Sequence, residues 1–544
     1  MADRRRRPFV RLALALAAIV PLIFASACSR ETEPSPKPRP ASPEPVRGGD
    51  FRLSLAGVRT LDPARVSGLN EGAAVRQIFD GLVELDDELR VVPVIATTWE
   101  ISEDRRTFTF RLRDDVSFHN GRRVEAADFV YSFERLLDPR SESPAAPFLT
   151  VIEGSEEFQE GTAEHVSGLV AKDPHRLAIT LEEPYQPFLS VLAMHWAKVV
   201  PREEVERGEF DARPCGTGPF RFVSRDAKRT LVLAANDGYF RGRPFLDRVT
   251  ILDLQWEAEY EAFRDGRIDY YAASPAEFDR LSRAGRYILV RRPSLTVALL
   301  GLNQNVPVLR EEKVRHAIAQ LVDRPCLESA LDGRAIAATS ILPPGMPGYD
   351  PSSQGHACDA ESAAALLAQA GYPGGEGLPA FRLFVGGLPE QKKICDLLKS
   401  QLGRAGIKIN VETTEDFERF MRGLEGSDMY IFGWGADFPD PDNFLGPLFI
   451  TGAPYNFCKY SSPLVDSLVA DGRYQADKVA RLGLYRRAEK QVLLDAAVIP
   501  LFHESALHCL QPDVRGFAIS TLGVYQASLR EVWKETPPAA EPAR

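Results

Sequence analysis

Ile394-Cys395-Asp396-Leu397-Leu398-Lys399-Ser400-Gln401-Leu402-Gly403-Arg404-Ala405-Gly406-Ile407-Lys408-Ile409-Asn410-Val411 carries two periodicities in succession. Ile394, Leu397, Leu398, Leu402 and Ala405 recur at helical spacing and trace one face. Gly406 ends that face, since glycine takes the positive φ that closes many helices. Ile407 to Val411 then alternates apolar and polar residues, the pattern of a half-buried strand. A helix handing directly to a strand is an αβ step, and it places the chain in the α/β class.

The same alternation extends outward in both directions. Thr107-Phe108-Thr109-Phe110-Arg111-Leu112-Arg113 has period two and predicts a strand. Asp114-Asp115 and Asn120-Gly121 supply turns, and Glu125 to Leu137 reads as a helix. Val479, Leu482, Tyr485, Ala488 and Val492 mark another helix ahead of Ile499-Pro500-Leu501-Phe502. Hairpins and helical crossovers both occur, so mixed sheets are expected. At 544 residues the chain exceeds what one core usually holds, which predicts two or three lobes.

A second informative run is Gly433-Trp434-Gly435-Ala436-Asp437-Phe438-Pro439-Asp440-Pro441-Asp442-Asn443-Phe444, which follows a predicted strand at Met429-Tyr430-Ile431-Phe432. Trp434 and Asp437, three residues apart, can form one pocket wall with an aromatic face and a fixed negative charge. Such a wall suits a ligand carrying an ammonium group on an apolar body. The alternative is a Pro/Asp-rich surface turn.

The N-terminus has the layout of an export signal. Arg4 to Arg7 and Arg11 are basic, Leu12 to Phe24 is apolar but for Pro21, and small residues precede Cys28. Ala25-Ser26-Ala27-Cys28 resembles a bacterial lipobox, with Ala25 where Leu is usual, and this resemblance makes Cys28 the lipidated mature N-terminus. An ordinary signal peptide cut nearby is the alternative. From Ser29 to Arg47 the chain is rich in Pro and charge without apolar periodicity, as an extended tether would be. Nothing downstream has the length and apolarity of a transmembrane helix.

The formal net charge is −10, and removing residues 1–27 takes away five arginines and one aspartate, leaving the body more acidic. An acidic surface argues against nucleic acid as a partner. Six cysteines follow Cys28, widely scattered and without a C-x-x-C pair, so neither zinc nor redox chemistry is suggested. Cys395 sits on the apolar side of its predicted helix and reads as a core residue.

Catalytic motifs are near misses. His503-Glu504-Ser505-Ala506-Leu507-His508 has one residue too many for a zinc-protease helix; five residues turn about 500°, which separates the imidazoles. Gly216-Thr217-Gly218 is followed by Pro219, which a dinucleotide loop would not tolerate. Asp437, Asp440 and Asp442 could in principle bind calcium, but prolines interleave them and no bidentate Glu closes the loop. No catalytic residue, metal site or cofactor is expected, and the chain reads as a non-enzyme.

From Gly48 to about Trp533 the chain resembles a family 5 extracellular solute-binding protein, the receptor type of peptide, nickel and related ABC importers. The matching pieces occur in order. They run from Leu61-Asp62-Pro63 and Phe79-Asp80-Gly81-Leu82 through Trp99 to Ser132, which includes Phe118-His119-Asn120-Gly121 and Asp128-Phe129-Val130-Tyr131-Ser132. They continue with Gly216-Thr217-Gly218-Pro219-Phe220, Val314-Arg315-His316-Ala317-Ile318, Asp323-Arg324, Ala370-Gly371-Tyr372-Pro373 and the Trp434 to Phe444 run. Glu125 departs from a family Thr at a helix N-cap.

The resemblance implies a two-lobed, periplasmic-binding-protein-like (type II) clamshell with mixed sheets and an extra subdomain in lobe one. The implied divisions are a signal peptide at 1–27, a lipid-anchored tether at 28–47 and lobe one at 48–83, 213–297 and 509–544. The extra subdomain would span 84–212 and lobe two 298–508. The chain would be a monomeric, exported receptor that captures peptides and delivers them to ABC permease subunits. Within the family, Asp437 would pair with the ligand ammonium, Trp434, Gly435 and Ala436 would supply aromatic and backbone contacts, and Ser67 would reach the ligand from lobe one. Dipeptide-specific members carry an Arg and a Tyr where this chain has Val385-Gly386-Gly387, which favours longer peptides. Nickel or haem binding is the alternative, with His119, His195 and His316 as candidate ligands; a peptide-sensing receptor of the same fold is another.

Overall fold

The computed structural model of the protein describes residues 44–387 and 389–535. The expected signal peptide, Cys28 and most of the expected tether lie outside the described residues.

The αβ step around Gly406 forms as its sequence predicts. Strand Phe381–Gly386 runs parallel to Ile409–Thr414, joined by the helix Pro389–Gly403. Ile394, Cys395, Leu398 and Leu402 face inward and are buried. Gly406 takes φ +79°, and a Cβ there would meet the carbonyl of Gly374, so both conformation and space require glycine.

These strands belong to an eight-stranded mixed sheet whose main path runs Tyr270–Ala272, Val498–Leu510, Thr296–Leu302, Met429–Gly435, Phe381–Gly386, Ile409–Thr414. Alternation sorts its residues between two cores. Val297, Leu299, Phe384, Tyr430 and Phe432 join one apolar cluster, and Ala298, Leu300, Leu302, Leu383, Val385, Met429 and Ile431 join the other. Trp434 shares the parity of Tyr430 and Phe432, which fixes its face. Gly301 pairs with Tyr430, whose ring occupies the place of a Cβ.

The thirteen-residue strand Val498–Leu510 is shared along its length. Its first half pairs with Thr296–Leu302 and Ala335–Ala337, and its second half with Tyr270–Ala272 and Ile288–Pro293. His503 and His508 therefore lie on a strand rather than a helix. His503 Nδ1 is 3.1 Å from the Thr296 carbonyl, and His508 Nδ1 is 2.8 Å from the Tyr270 hydroxyl.

Two four-stranded sheets and two two-stranded ribbons make up the rest of the β-structure among the described residues. Asp50–Ser54 pairs in parallel with Arg248–Leu252, which continues antiparallel through Leu231–Ala235 to Phe220–Arg225. An antiparallel sheet orders Ala96–Ile101, Thr107–Leu112, Arg176–Thr180, Leu169–Asp173, and the helix Ala126–Leu137 packs on it. Glu125 sits at that helix's N-cap without a side-chain capping hydrogen bond, and its backbone N–H donates to the Asp128 carboxylate at 2.9 Å.

Asp269 ties distant parts of the chain together. It is fully buried, accepts from the Arg52 N–H at 2.7 Å and from Arg52 Nη2 at 3.1 Å, and from Lys534 Nζ at 2.9 Å. The cysteines Cys215, Cys326, Cys358, Cys395, Cys458 and Cys509 are unpaired.

Candidate functional site

The strand Met429–Gly435 runs three residues beyond the predicted Phe432, because Thr296–Leu302 pairs with it up to Thr296 opposite Gly435. The Ala436 N–H extends the ladder by donating to the Leu295 carbonyl at 2.9 Å. Trp434 is thus held by a sheet rather than a loop. Its ring lies 6.0 Å from Phe432 and 5.0 Å from Tyr455, and its Nε1 donates to the Asn443 carbonyl at 2.7 Å.

Asn443 organises the turn that follows. It is buried in the first turn of the helix Asp442–Phe449, accepts from the Asp437 N–H at 2.8 Å and donates through Nδ2 to the Asp437 carboxylate at 3.0 Å. Asn443 thereby fixes the Trp434 ring and the Asp437 carboxylate together.

The three aspartates of the run have separate environments, and this decides the calcium question. Asp440 is buried and accepts from Arg481 Nη1 at 2.8 Å and Nη2 at 2.7 Å. Asp442 accepts from Arg473 Nε at 2.8 Å, Tyr485 at 3.1 Å and Tyr185 at 3.2 Å. Both charges are matched from within. Asp437 differs: among the described residues no Lys, Arg or His lies at ion-pair distance, and Asn443 is its hydrogen-bond partner. Its carboxylate opens to solvent, yet desolvation by the surrounding walls raises its pKa above the ordinary aspartate value, partly offset by the Asn443 hydrogen bond.

Asp437 and Trp434 line a cavity of about 1050 Å³. Phe432, Gly433, Gly435, Asn443 and Tyr455 extend the same wall. Phe417 and Met421, from the helix Phe417–Glu425, form a second side, and Pro144, Pro147, Phe148 and Tyr185 a third. Phe148 meets Phe438 edge-on at 6.4 Å, and the Gln186 N–H donates to the Arg473 carbonyl at 3.0 Å, so the third side is anchored to the first.

The structure brings Trp434, Gly435 and Asp437 into this cavity. Ala436 lies between them, engaged through its N–H with Leu295. Ser67 is elsewhere: it precedes the helix Leu69–Ile78, exposed, with its N–H donating to Glu71 at 3.0 Å, and it is outside the cavity lining. Val385, Gly386 and Gly387 end their strand away from the cavity; Val385 is buried in the core. The candidate histidines occupy separate settings. His119 Nε2 meets the Gly218 carbonyl at 3.1 Å, His195 packs on Gly72, and His316 lies 3.4 Å from Glu312.

Sequence reasoning missed the helix Phe417–Glu425 and the wall around Phe148. The signal for the helix was available: Phe417, Phe420, Met421 and Leu424 follow an i, i+3, i+4, i+7 pattern, and Asp416 caps it by accepting from the Arg419 N–H at 2.7 Å.

Comparison with known proteins agrees with this architecture. Residues 90–456 match the bacterial extracellular solute-binding proteins, family 5, middle region. The chain is 30% identical to the probable di/tripeptide-binding protein 5 of Pseudomonas aeruginosa, over 83% of this chain and 89% of that one. It is 29% identical to heme-binding protein A of Haemophilus influenzae, over 84% and 87% of the respective chains. Among solved structures, the periplasmic binding protein DppA of Helicobacter pylori in complex with the peptide STSA superposes with a TM-score of 0.72 at 25% identity, covering 90% of this chain and 99% of that one. The fold is accordingly the two-lobed, mixed α/β architecture of periplasmic binding proteins. The chain belongs to the bacterial extracellular solute-binding proteins, family 5.

Proposed function

We propose that the protein is the peptide-capturing receptor of an ABC importer and performs no chemistry of its own. The observation that carries this reading is Asp437: a carboxylate without a cation partner, held by Asn443 in a large aromatic-walled cavity. Such a group is complementary to a ligand ammonium. Trp434 supplies an aromatic face, and Gly435 and Ala436 carry backbone at the sheet end beside which an extended peptide can lie. Ser67 would join them from the opposite lobe on closure around the ligand.

The proposed lobes are 48–297 with 509–535, carrying an added subdomain at 84–212, and 298–508. The change of pairing partners along Val498–Leu510 and the step between Ile288–Pro293 and Thr296–Leu302 support two crossings between them. Ligand contacts to both lobes would favour the closed form in proportion to its affinity advantage there. Among the described residues Arg473 is the cation lining the cavity, and it already serves Asp442. A ligand carboxylate therefore has no dedicated partner on this wall, which favours oligopeptides over dipeptides. Export, anchoring through a lipid on Cys28, and a monomeric body that docks on permease subunits complete the reading.

The test is mass spectrometry of small molecules released on denaturing the gently purified protein, since a tightly held ligand survives purification. Peptides within a defined length range are expected. A released metal, haem or non-peptide solute would overturn the reading.

A further inference from the structure

Resting on the peptide reading, we infer that this receptor selects peptides whose first residue is large and apolar, and that Phe417 and Met421 are the residues that select. The side chain next to a peptide's ammonium must lie within a few ångströms of whatever holds that ammonium. The cavity that Asp437 lines is mostly apolar: Trp434, Phe432, Tyr455, Phe417 and Met421 share it, and its polar members Asn443, Asp442 and Arg473 are already hydrogen-bonded to one another or to Asp437.

The helix Phe417–Glu425 divides its apolar residues between two tasks. Phe420 and Leu424 attach it to the sheet. Leu424 is buried, and Phe420 stacks 6.0 Å from Phe384 and lies 6.5 Å from Phe432. Gly423 lets the helix press against Phe384, whose ring occupies the place of a Cβ. Met421 is half-buried and also touches that core while it lines the cavity, whereas Phe417, one turn before it, takes no part in the attachment. Phe417 is 73% exposed, and Met421 is partly exposed. A phenyl ring left that open beside a cavity, on a helix otherwise well anchored, is apolar surface without a partner in the free protein.

The occupant is set by charge as well as shape. The free carboxylate asks for a cation, and the adjoining rings ask for an apolar group on the same molecule. An N-terminal residue such as Phe, Leu or Met supplies both from one Cα. Methionine adapts to side chains of different outline, so Met421 would admit aliphatic as well as aromatic first residues.

The experiment is calorimetric titration of the purified protein with Phe-Ala-Ser-Ala and Gly-Ala-Ser-Ala, repeated on Phe417→Ser and on Phe417→Ser with Met421→Ser. The wild type is expected to bind the Phe peptide about tenfold or more tighter, from burial of the ring. Phe417→Ser should cut that ratio to about threefold or less while leaving the Gly peptide within about twofold. The exposure of Phe417 makes loss of folding an unsuitable explanation, and an unchanged melting transition checks it. Binding of both peptides with equal affinity, or a ratio indifferent to both variants, overturns this inference and leaves the peptide reading standing. Failure of both peptides to bind overturns the peptide reading and this inference with it.

Discussion

Replacing Asp437 by Asn isolates one charge in an otherwise unchanged wall. The introduced carboxamide can still accept from Asn443 Nδ2, and the backbone N–H keeps its bond to Asn443 Oδ1. With no cation paired to the carboxylate, nothing in the fold loses an ion-pair partner. The melting transition should stay in place or rise slightly, because a desolvated charge has been removed. Binding should change far more. A unit charge pair at ~4 Å and an effective dielectric of ~20 is worth roughly 4 kcal/mol before desolvation. Asp437 is exposed in the free protein, so the carboxylate and the ligand's ammonium both shed water on binding and offset much of that attraction. A charge-assisted hydrogen bond nets about 1.5–3 kcal/mol, which is about 10- to 150-fold in Kd. Calorimetry with free and N-acetylated forms of one peptide gives the decisive cycle. Acetylation should weaken wild-type binding by that factor and affect Asp437→Asn little. Additive losses would show that the ammonium and Asp437 do not meet, and the argument from the unpaired carboxylate would fail.

Three further outcomes follow from the same structure. Peptide affinity should be flat at neutral pH and fall on acidification, starting above the pH expected of an ordinary aspartate, since Asp437 takes up a proton early; in Asp437→Asn calorimetry should show that slope gone. Arg481→Ala strands the buried Asp440 carboxylate and should lower unfolding stability by about 3–5 kcal/mol in denaturant titration, whereas Asp440→Leu with Arg481→Met should cost less than the single change. Glu489 is buried, and desolvation raises its pKa from the ordinary glutamate value of 4.5 to about 7, with the N–H groups of Ile341 and Leu342 working the other way. Its stability contribution should be complete below about pH 4.5 and lost as pH rises through about 7. The span amounts to about 3 kcal/mol, and Glu489→Gln should flatten the melting temperature across that window.

Local pattern was enough for the elements whose partners are near in sequence. The helix Ala126–Leu137 and the step around Gly406 formed where periodicity placed them, because each carries its own stop signals and a continuous apolar face. The extra residues of Met429–Gly435 were illegible locally, since they are strand through pairing with Thr296–Leu302, over a hundred residues earlier. The aspartate run shows the same limit. Its spacing alone could not reveal that Asp440 and Asp442 are answered by Arg481 and Arg473 from later helices, leaving Asp437 as the free charge. The wall at Pro144, Phe148 and Tyr185 was invisible because proline-flanked aromatics in a connecting segment look the same whether they face a cavity or a core.

The buried Asp269 has a consequence for the order of events in the chain's synthesis. Its partners are Arg52, near the beginning of the body, and Lys534, near its end. The strand Asp50–Ser54 cannot reach its final clasp until the ribosome has released residues some five hundred positions later, and the central sheet waits likewise for Val498–Leu510. Contacts of such separation form slowly. A polypeptide that cannot close on itself early remains threadable, which would suit the export proposed above.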